Sequence, residues 1–119
     1  MAELLFEEID PFGIPVRLYL RRWLEHIIPP TRHPEMEPYL ELIRQTIANP
    51  DFVYRSVKAR NTNIFYRLNL ERGRYQNLYV AIVVRYTMEQ GRKVGYVRTA
   101  YFTRTPSGGD ELLWIKPRR

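Results

Sequence analysis

The chain has 119 residues, no cysteine and a formal net charge of +6 at neutral pH. This length is that of one ordinary domain, and the lack of cysteine excludes disulfides and thiolate metal sites within the sequence. Residues 1–15 are acidic where a secretory signal would be positive. The longest apolar runs fall far short of the roughly 20 residues of a membrane helix. We therefore expect one cytoplasmic domain over residues 1–119, without contact to a membrane.

The charge is distributed unevenly along the chain. Residues 1–51 carry nine acidic and five basic side chains, a net charge of −4, whereas residues 52–119 carry four acidic and fourteen basic ones, a net charge of +10. Sixteen of the 19 basic residues are arginine, whose planar guanidinium matches phosphate oxygens and stacks on bases. A compositional bias of the genome would also explain the preference for arginine. It would not explain the asymmetry, which indicates a polyanionic partner such as RNA.

The first third of the chain contains the helical patterns. Residues 1–15 are predicted to form an irregular arm, and residues 16–20 either a short strand or the start of a helix. Apolar residues then follow helical spacing from Leu20 to Ile28. Pro29-Pro30 must end this helix, because neither residue can donate a backbone hydrogen bond.

The segment 33–50 is the clearest helix. Pro34 suits the first helical position, and the acidic residues that follow suit the positive end of the helix dipole. The predicted buried stripe consists of Met36, Leu40, Ile43 and Ile47.

From residue 52 onward the apolar residues alternate with polar ones, which is typical of strands. The predicted strands are Phe52–Lys58, Ile64–Leu70, Asn77–Thr87, Lys93–Arg104 and a short one near Leu112–Ile115. The sequence therefore predicts an α+β domain. Its two N-terminal helices pack on one face of a four- to five-stranded antiparallel sheet.

Alternation also predicts which side chains point away from the helices. Val80, Ile82 and Val84 form the continuous apolar set of their strand and should face the helices. The predicted open face carries Arg55, Arg67, Arg85, Thr99 and Tyr101. Such guanidinium, hydroxyl and aromatic groups suit phosphate binding and base stacking, although they are also ordinary on the solvated side of a sheet. A one-residue slip would reverse the assignment of any strand.

Only two side chains, His26 and His33, offer acid–base chemistry near neutral pH. With no third histidine and no cysteine, the sequence predicts no metal site and no cofactor, although a mixed histidine–carboxylate site stays open. His33 precedes the predicted helix, whose positive end attracts anions. A neutral imidazole beside a phosphate can act as a general base on a ribose 2′-hydroxyl. Alternatively, His33 caps the helix and His26 is an ordinary hydrogen-bonded residue.

Several short motifs occur in a fixed order along the chain. They are HIIPPTRHPEM at 26–36, TIANPDFVYRS at 46–56, IFYR at 64–67, TAYFTRT at 99–105 and LW at 113–114. In order and spacing they resemble the phage-associated branch of the barnase–EndoU–colicin–RelE-like nuclease superfamily. The resemblance covers roughly residues 16–116, and it implies the same two-helix, one-sheet architecture.

The resemblance also implies an activity, because characterised members of that superfamily are metal-independent ribonucleases. It implies a catalytic site formed by His26, His33, Arg55, Arg67 and Thr99. One histidine would act as general base or acid, and the arginines would stabilise the pentacovalent phosphate. The threonine would hydrogen-bond the phosphate or position a histidine.

Three further residues are expected to bind substrate. Tyr66 or Tyr101 would stack a base, and Arg85 belongs to the basic open face. The first hypothesis is thus an endoribonuclease that leaves a 2′,3′-cyclic phosphate. The second is a module that binds RNA or the ribosome without catalysis, and the third is a protein-interaction module that docks an acidic, antitoxin-like partner.

Overall fold

Apolar alternation in the second half of the chain and in the first 19 residues builds one sheet of seven strands. The computed structural model describes residues 2–117. The strands are β1 (Leu4–Ile9), β2 (Pro15–Tyr19), β3 (Phe52–Ser56), β4 (Thr62–Leu68), β5 (Tyr79–Glu89), β6 (Arg92–Thr103) and β7 (Gly109–Ile115). Their order across the sheet is β1-β2-β6-β5-β4-β3-β7. All neighbouring strands are antiparallel except β2 and β6, which run parallel.

The sheet is larger than predicted because residues 2–15, the described part of the predicted irregular arm, form strand and turn. They supply β1 and the turn into β2, so that these two strands make an edge hairpin. The carboxylate of Asp10 organises the turn: its Oδ1 accepts the backbone N–H groups of Phe12 and Ile14, both at 2.9 Å. Gly13 takes the left-handed conformation there, with φ of 78°, which glycine adopts without steric cost.

Two helical segments connect β2 to β3. The first, α1 (Leu20–Arg22), continues as a π-helical segment, Trp23–Ile27. The second, α2 (Leu40–Ala48), is preceded by a 3₁₀ helix, Pro34–Tyr39. The single long helix predicted from residue 33 is therefore divided in two. Pro38 lies inside the 3₁₀ part, and its missing N–H prevents regular α-helical hydrogen bonding.

The main core lies between these helices and one face of the sheet. The predicted stripe is confirmed, since Met36, Ile43 and Ile47 are fully buried and Leu40 packs against them. The side chains of β5 that were predicted to face the helices are also fully buried in this core; they are Val80, Ile82 and Val84.

The opposite face carries a second, smaller apolar cluster. Ile64, Tyr66 and Ala81 are buried there, and four aromatic residues pack around them. The loop before β7 reaches this cluster at Gly108, whose N–H donates to Tyr66 Oη at 3.0 Å. A Cβ at Gly108 would approach Ile64 Cδ1 to 2.8 Å, so glycine allows this close contact. The face opposite the helices is therefore only partly open to solvent.

Two predicted open-face residues, Arg55 and Arg67, lie on the helix side instead. Arg67 shares its face with Phe65, and Arg55 shares its face with Val53; both apolar residues are fully buried in the main core. The error has a physical cause, because β4 is apolar on both faces and its pattern does not say which face meets the helices. Arg85, Thr99 and Tyr101 do lie on the face opposite the helices.

A buried hydrogen bond joins β5 to the β1–β2 turn. Tyr86 Oη donates to Asp10 Oδ2 at 2.7 Å, and Asp10 is only 4% exposed. Burial, and after it the negative charge of Asp10, raises the pKa of the Tyr86 phenol above its ordinary value. The edge hairpin is thus tied to the centre of the sheet.

Tyr86→Phe should lower the free energy of unfolding by about 1.5–3 kcal/mol at pH 7, because a buried carboxylate loses a donor. The loss should shrink with rising pH. The raised pKa means that the folded state keeps the phenol proton, whereas the unfolded chain releases it above about pH 10. Tyr86 therefore stabilises the fold fully below that pH and less above it. Urea unfolding of both proteins at pH 7 and at alkaline pH checks this; a difference that stays constant would contradict it.

Candidate functional site

The candidate site forms where the parallel pairing of β2 with β6 ends. The two strands pair only at Val16–Gly95 and Arg17–Tyr96. After Tyr19 the chain becomes helical, and the π-helical end of α1 lies against β6. Helix side chains therefore meet the second half of β6, where a neighbouring strand would otherwise lie.

A tight turn after α1 brings the two histidines to the same place. The Ile28 N–H donates to Trp23 O at 3.0 Å, which closes the π-helical turn that contains His26. The Arg32 N–H then bonds Pro29 O, and the His33 N–H returns to Ile27 O, both at 2.8 Å. Pro29-Pro30 thus ends the helix as predicted and begins the turn that carries His33 back to the end of α1.

A β-bulge in β6 provides the opposite wall. The register places Val83 opposite Thr99 but Val84 opposite Val97, so Arg98 is the extra residue. Consecutive strand residues normally point to opposite faces, and a bulge changes the direction of a side chain. Arg98 and Thr99 consequently line the same groove.

The resulting groove has a volume of about 470 Å³ and combines imidazole, hydroxyl and guanidinium groups. Its lining residues are Arg22, His26, Arg32, His33, Arg98 and Thr99. We call this set the histidine groove. Within residues 2–117, none of its arginines forms an ion pair with a carboxylate.

The positive charges of the arginines in the histidine groove repel one another. Burial, and then the positive charges of Arg98 and Arg32, lower the pKa of Arg22. Arginine nevertheless remains charged at neutral pH. The groove therefore concentrates positive charge that a bound anion would compensate, and arginine is well suited to hold phosphate oxygens in pairs.

The ring of His33 is held from two sides. Its Nδ1 lies 3.4 Å from Glu35 Oε2, and its ring centroid lies 5.7 Å from that of Tyr101. With Nδ1 directed at the carboxylate, Nε2 is the nitrogen left for chemistry in the groove. His33 does not cap the following helix with its side chain.

Three of the five predicted catalytic residues, His26, His33 and Thr99, line the histidine groove together, whereas the two arginines lie elsewhere. Arg67 Nη1 lies 3.4 Å from the carbonyl oxygens of Gln45 and Asn49. It thus interacts with the end of α2, where cations are favourable. Arg55 Nη2 pairs with Glu111 Oε1 at 2.8 Å, near the sheet edge that β7 forms.

The predicted substrate-binding residues also divide. Tyr66 is 1% exposed, so its ring cannot stack on a base. Tyr101 is half-buried beside His33. Its burial, and to a smaller extent the electrostatic interaction with Tyr66, raises the pKa of the Tyr101 phenol. Arg85 is exposed and lies opposite Thr62 and Tyr96 in the sheet register, outside the histidine groove.

Sequence reasoning missed three groove residues that stand beside predicted ones. Arg22 precedes His26 by one helical turn, Arg32 precedes His33, and Arg98 precedes Thr99. Helical spacing places residues four apart on one face, so the sequence pattern could have identified Arg22 from His26. No sequence pattern indicates the bulge that directs Arg98 into the groove.

Two general features of residues 2–117 bear on the chemistry. No group of three or more histidine, aspartate or glutamate side chains in this range is arranged to hold a metal ion. The longest of the described helices has nine residues, and no helix in the same range is suited to span a membrane.

Arg98→Gln should stabilise the protein by several tenths of a kcal/mol at low salt, because it removes one of three clustered like charges. The gain should fade at about 0.5 M salt, where screening shortens the range of the repulsion. Urea unfolding at both salt concentrations measures it. The exposed Arg72→Gln, which removes an equal charge outside the groove, should show no such gain. A loss of stability in Arg98→Gln at low salt would contradict the picture of uncompensated charge.

Comparison of the chain with known protein families, with curated proteins and with solved structures finds no match. The nuclease resemblance therefore remains a prediction from short motifs.

Proposed function

We propose that this protein is a metal-independent endoribonuclease whose active site is the histidine groove. One observation carries the proposal: two imidazoles, a hydroxyl and three arginines without carboxylate partners within residues 2–117 line one groove. Two histidines provide a base and an acid near neutral pH. The arginines provide a place for the phosphodiester between them.

His33 is the better candidate for the general base. Glu35 faces its Nδ1, which leaves Nε2 to accept the proton of a ribose 2′-hydroxyl. The O2′ atom then bonds to phosphorus, and the bond from phosphorus to O5′ breaks. Protonated His26 donates a proton to the departing O5′ atom. The products are a 2′,3′-cyclic phosphate and a 5′-hydroxyl, and no other reactant is required.

The arginines would act on the charge that develops during this attack. A pentacovalent phosphate carries more negative charge on its equatorial oxygens than the ground state does, and fixed guanidinium groups stabilise that change. Burial, and then repulsion from Arg98 and Arg32, lower the pKa of Arg22 before substrate binds. The negative charge of a bound phosphodiester would offset that repulsion. Thr99 would donate a hydrogen bond to the same phosphate.

A second candidate, RNA binding without cleavage, is favoured by the imidazole of His26. That side chain is exposed, and no residue in the range 2–117 fixes its ring by a hydrogen bond. The arginines alone would bind phosphate, with an affinity that falls steeply with salt through counterion release.

We expect the purified protein to cleave single-stranded RNA in the presence of EDTA and to leave 2′,3′-cyclic phosphate ends. His33→Ala and His26→Ala should each reduce the cleavage rate by about 10²–10⁴-fold, as the loss of a general base or acid does. Gel analysis with end-group mapping of the products measures both effects. Arg72→Gln serves as the matched control and should cleave at the wild-type rate.

The same set of variants separates the two candidates. A nuclease predicts that His33→Ala still binds RNA while it no longer cleaves, because the phosphate-binding arginines remain. If the wild-type protein binds RNA but leaves it intact, with EDTA and with Mg²⁺ alike, the non-catalytic function is correct. Cleavage that persists unchanged in both histidine variants would also contradict the nuclease proposal and would indicate a contaminating enzyme.

A further inference from the structure

A second and larger cleft lies apart from the histidine groove. Its volume is about 870 Å³, and it shares no lining residue with the histidine groove. Its walls come from the β1–β2 turn, the connection between β3 and β4, and the paired ends of β5 and β6. This volume lies within the roughly 300–1,000 Å³ range of small-molecule sites and is far more than an inorganic anion needs.

Apolar side chains are held in the walls of this cleft. The Asp10-centred turn presents Phe12, whose side chain is 41% exposed although it belongs to an ordered turn. Val57 is 59% exposed, and Leu113 is half-buried on the wall formed by β7. An exposed aromatic ring near aliphatic groups provides a surface on which a planar heterocycle can stack.

Three cations border the same space without compensation. Lys58, Arg60 and Lys93 line the cleft, and none of them pairs with a carboxylate of residues 2–117. The fourth cation, Arg55, is neutralised by Glu111. The Lys93 ammonium lies 5.7 Å from the centre of the Tyr86 ring, and both residues line the cleft.

Two asparagine amides add uncharged polar groups to the lining of the cleft. Asn61 adopts the left-handed conformation, with φ of 52°, and its backbone O accepts the Tyr86 N–H at 2.7 Å. These features fix the connection between β3 and β4 at the cleft. Asn61 and Asn63 both line it, and their side-chain amides can donate to and accept from the edge of a base.

We propose that this cleft binds a nucleoside monophosphate. The base lies against Phe12 and the aliphatic wall, and the phosphate lies among Lys58, Arg60 and Lys93. Charge complementarity and the size of the cleft carry this assignment, because a phosphate alone would leave the apolar wall unused. The site stands independently of the proposed nuclease activity, since none of its residues takes part in the groove chemistry.

Isothermal titration of the whole protein with AMP, GMP, CMP and UMP tests the proposal. At least one of them should bind, and Arg60→Gln combined with Lys93→Gln should weaken its binding by about tenfold or more, as expected for lost charged contacts. Phe12→Ala should weaken it as well. Adenosine without phosphate and inorganic phosphate without a base should each bind more weakly than the nucleotide.

Matched variants separate this cleft from the histidine groove. Arg72→Gln removes one positive charge outside both sites and should leave nucleotide binding unchanged. Thermal melting shows whether the cleft variants remain folded. The proposal is overturned if no nucleotide binds, if inorganic phosphate binds as tightly as the nucleotide, or if Arg98→Gln abolishes binding while the Arg60 and Lys93 double variant retains it.

Discussion

The short parallel contact between β2 and β6 decides where a functional groove can form. It extends over only two residue pairs, and a Cβ at Gly95 in this contact would lie within about 3.0 Å of three neighbouring side chains. Glycine thus allows β2 to pack closely before the chain turns into α1. Beyond this contact, a helix and not a strand lies beside β6. A strand would pair with β6 through its backbone, whereas the helix places side chains there.

Three separate elements position the charged and acid–base side chains of the groove. The π-helical turn presents His26, the proline turn returns His33, and the bulge directs Arg98 beside Thr99. Among residues 2–117 the groove arginines have no carboxylate partner, although Glu7, Glu8 and other acids pair with arginines elsewhere. In the proposed function, a bound phosphodiester would compensate this charge, and the acid–base groups at the same place would cleave it.

Much of the fold could be predicted from the sequence, because alternation and helical spacing identify elements well. The inward set around Ile82 and the buried stripe that runs from Met36 in the 3₁₀ helix to Ile47 in α2 followed directly from these patterns. Face assignment failed for Arg67 because β4 is apolar on both sides. Its second apolar side is buried by aromatic side chains of neighbouring strands and by the contact with Gly108. The groove arginine Arg98 depends on a bulge, which arises from pairing between distant strands and leaves no local signal.

The convergence of both histidines with the arginines on one phosphodiester is the central claim, and side-chain NMR tests it most directly. A short 2′-deoxy oligonucleotide lacks the attacking hydroxyl and can be titrated without cleavage. The imidazole resonances of His26 and His33 and the guanidinium resonance of Arg98 should shift together, with one dissociation constant, while Arg67 stays unchanged. Saturable binding that leaves both imidazoles unperturbed would contradict the assignment of the groove as the nucleic-acid site.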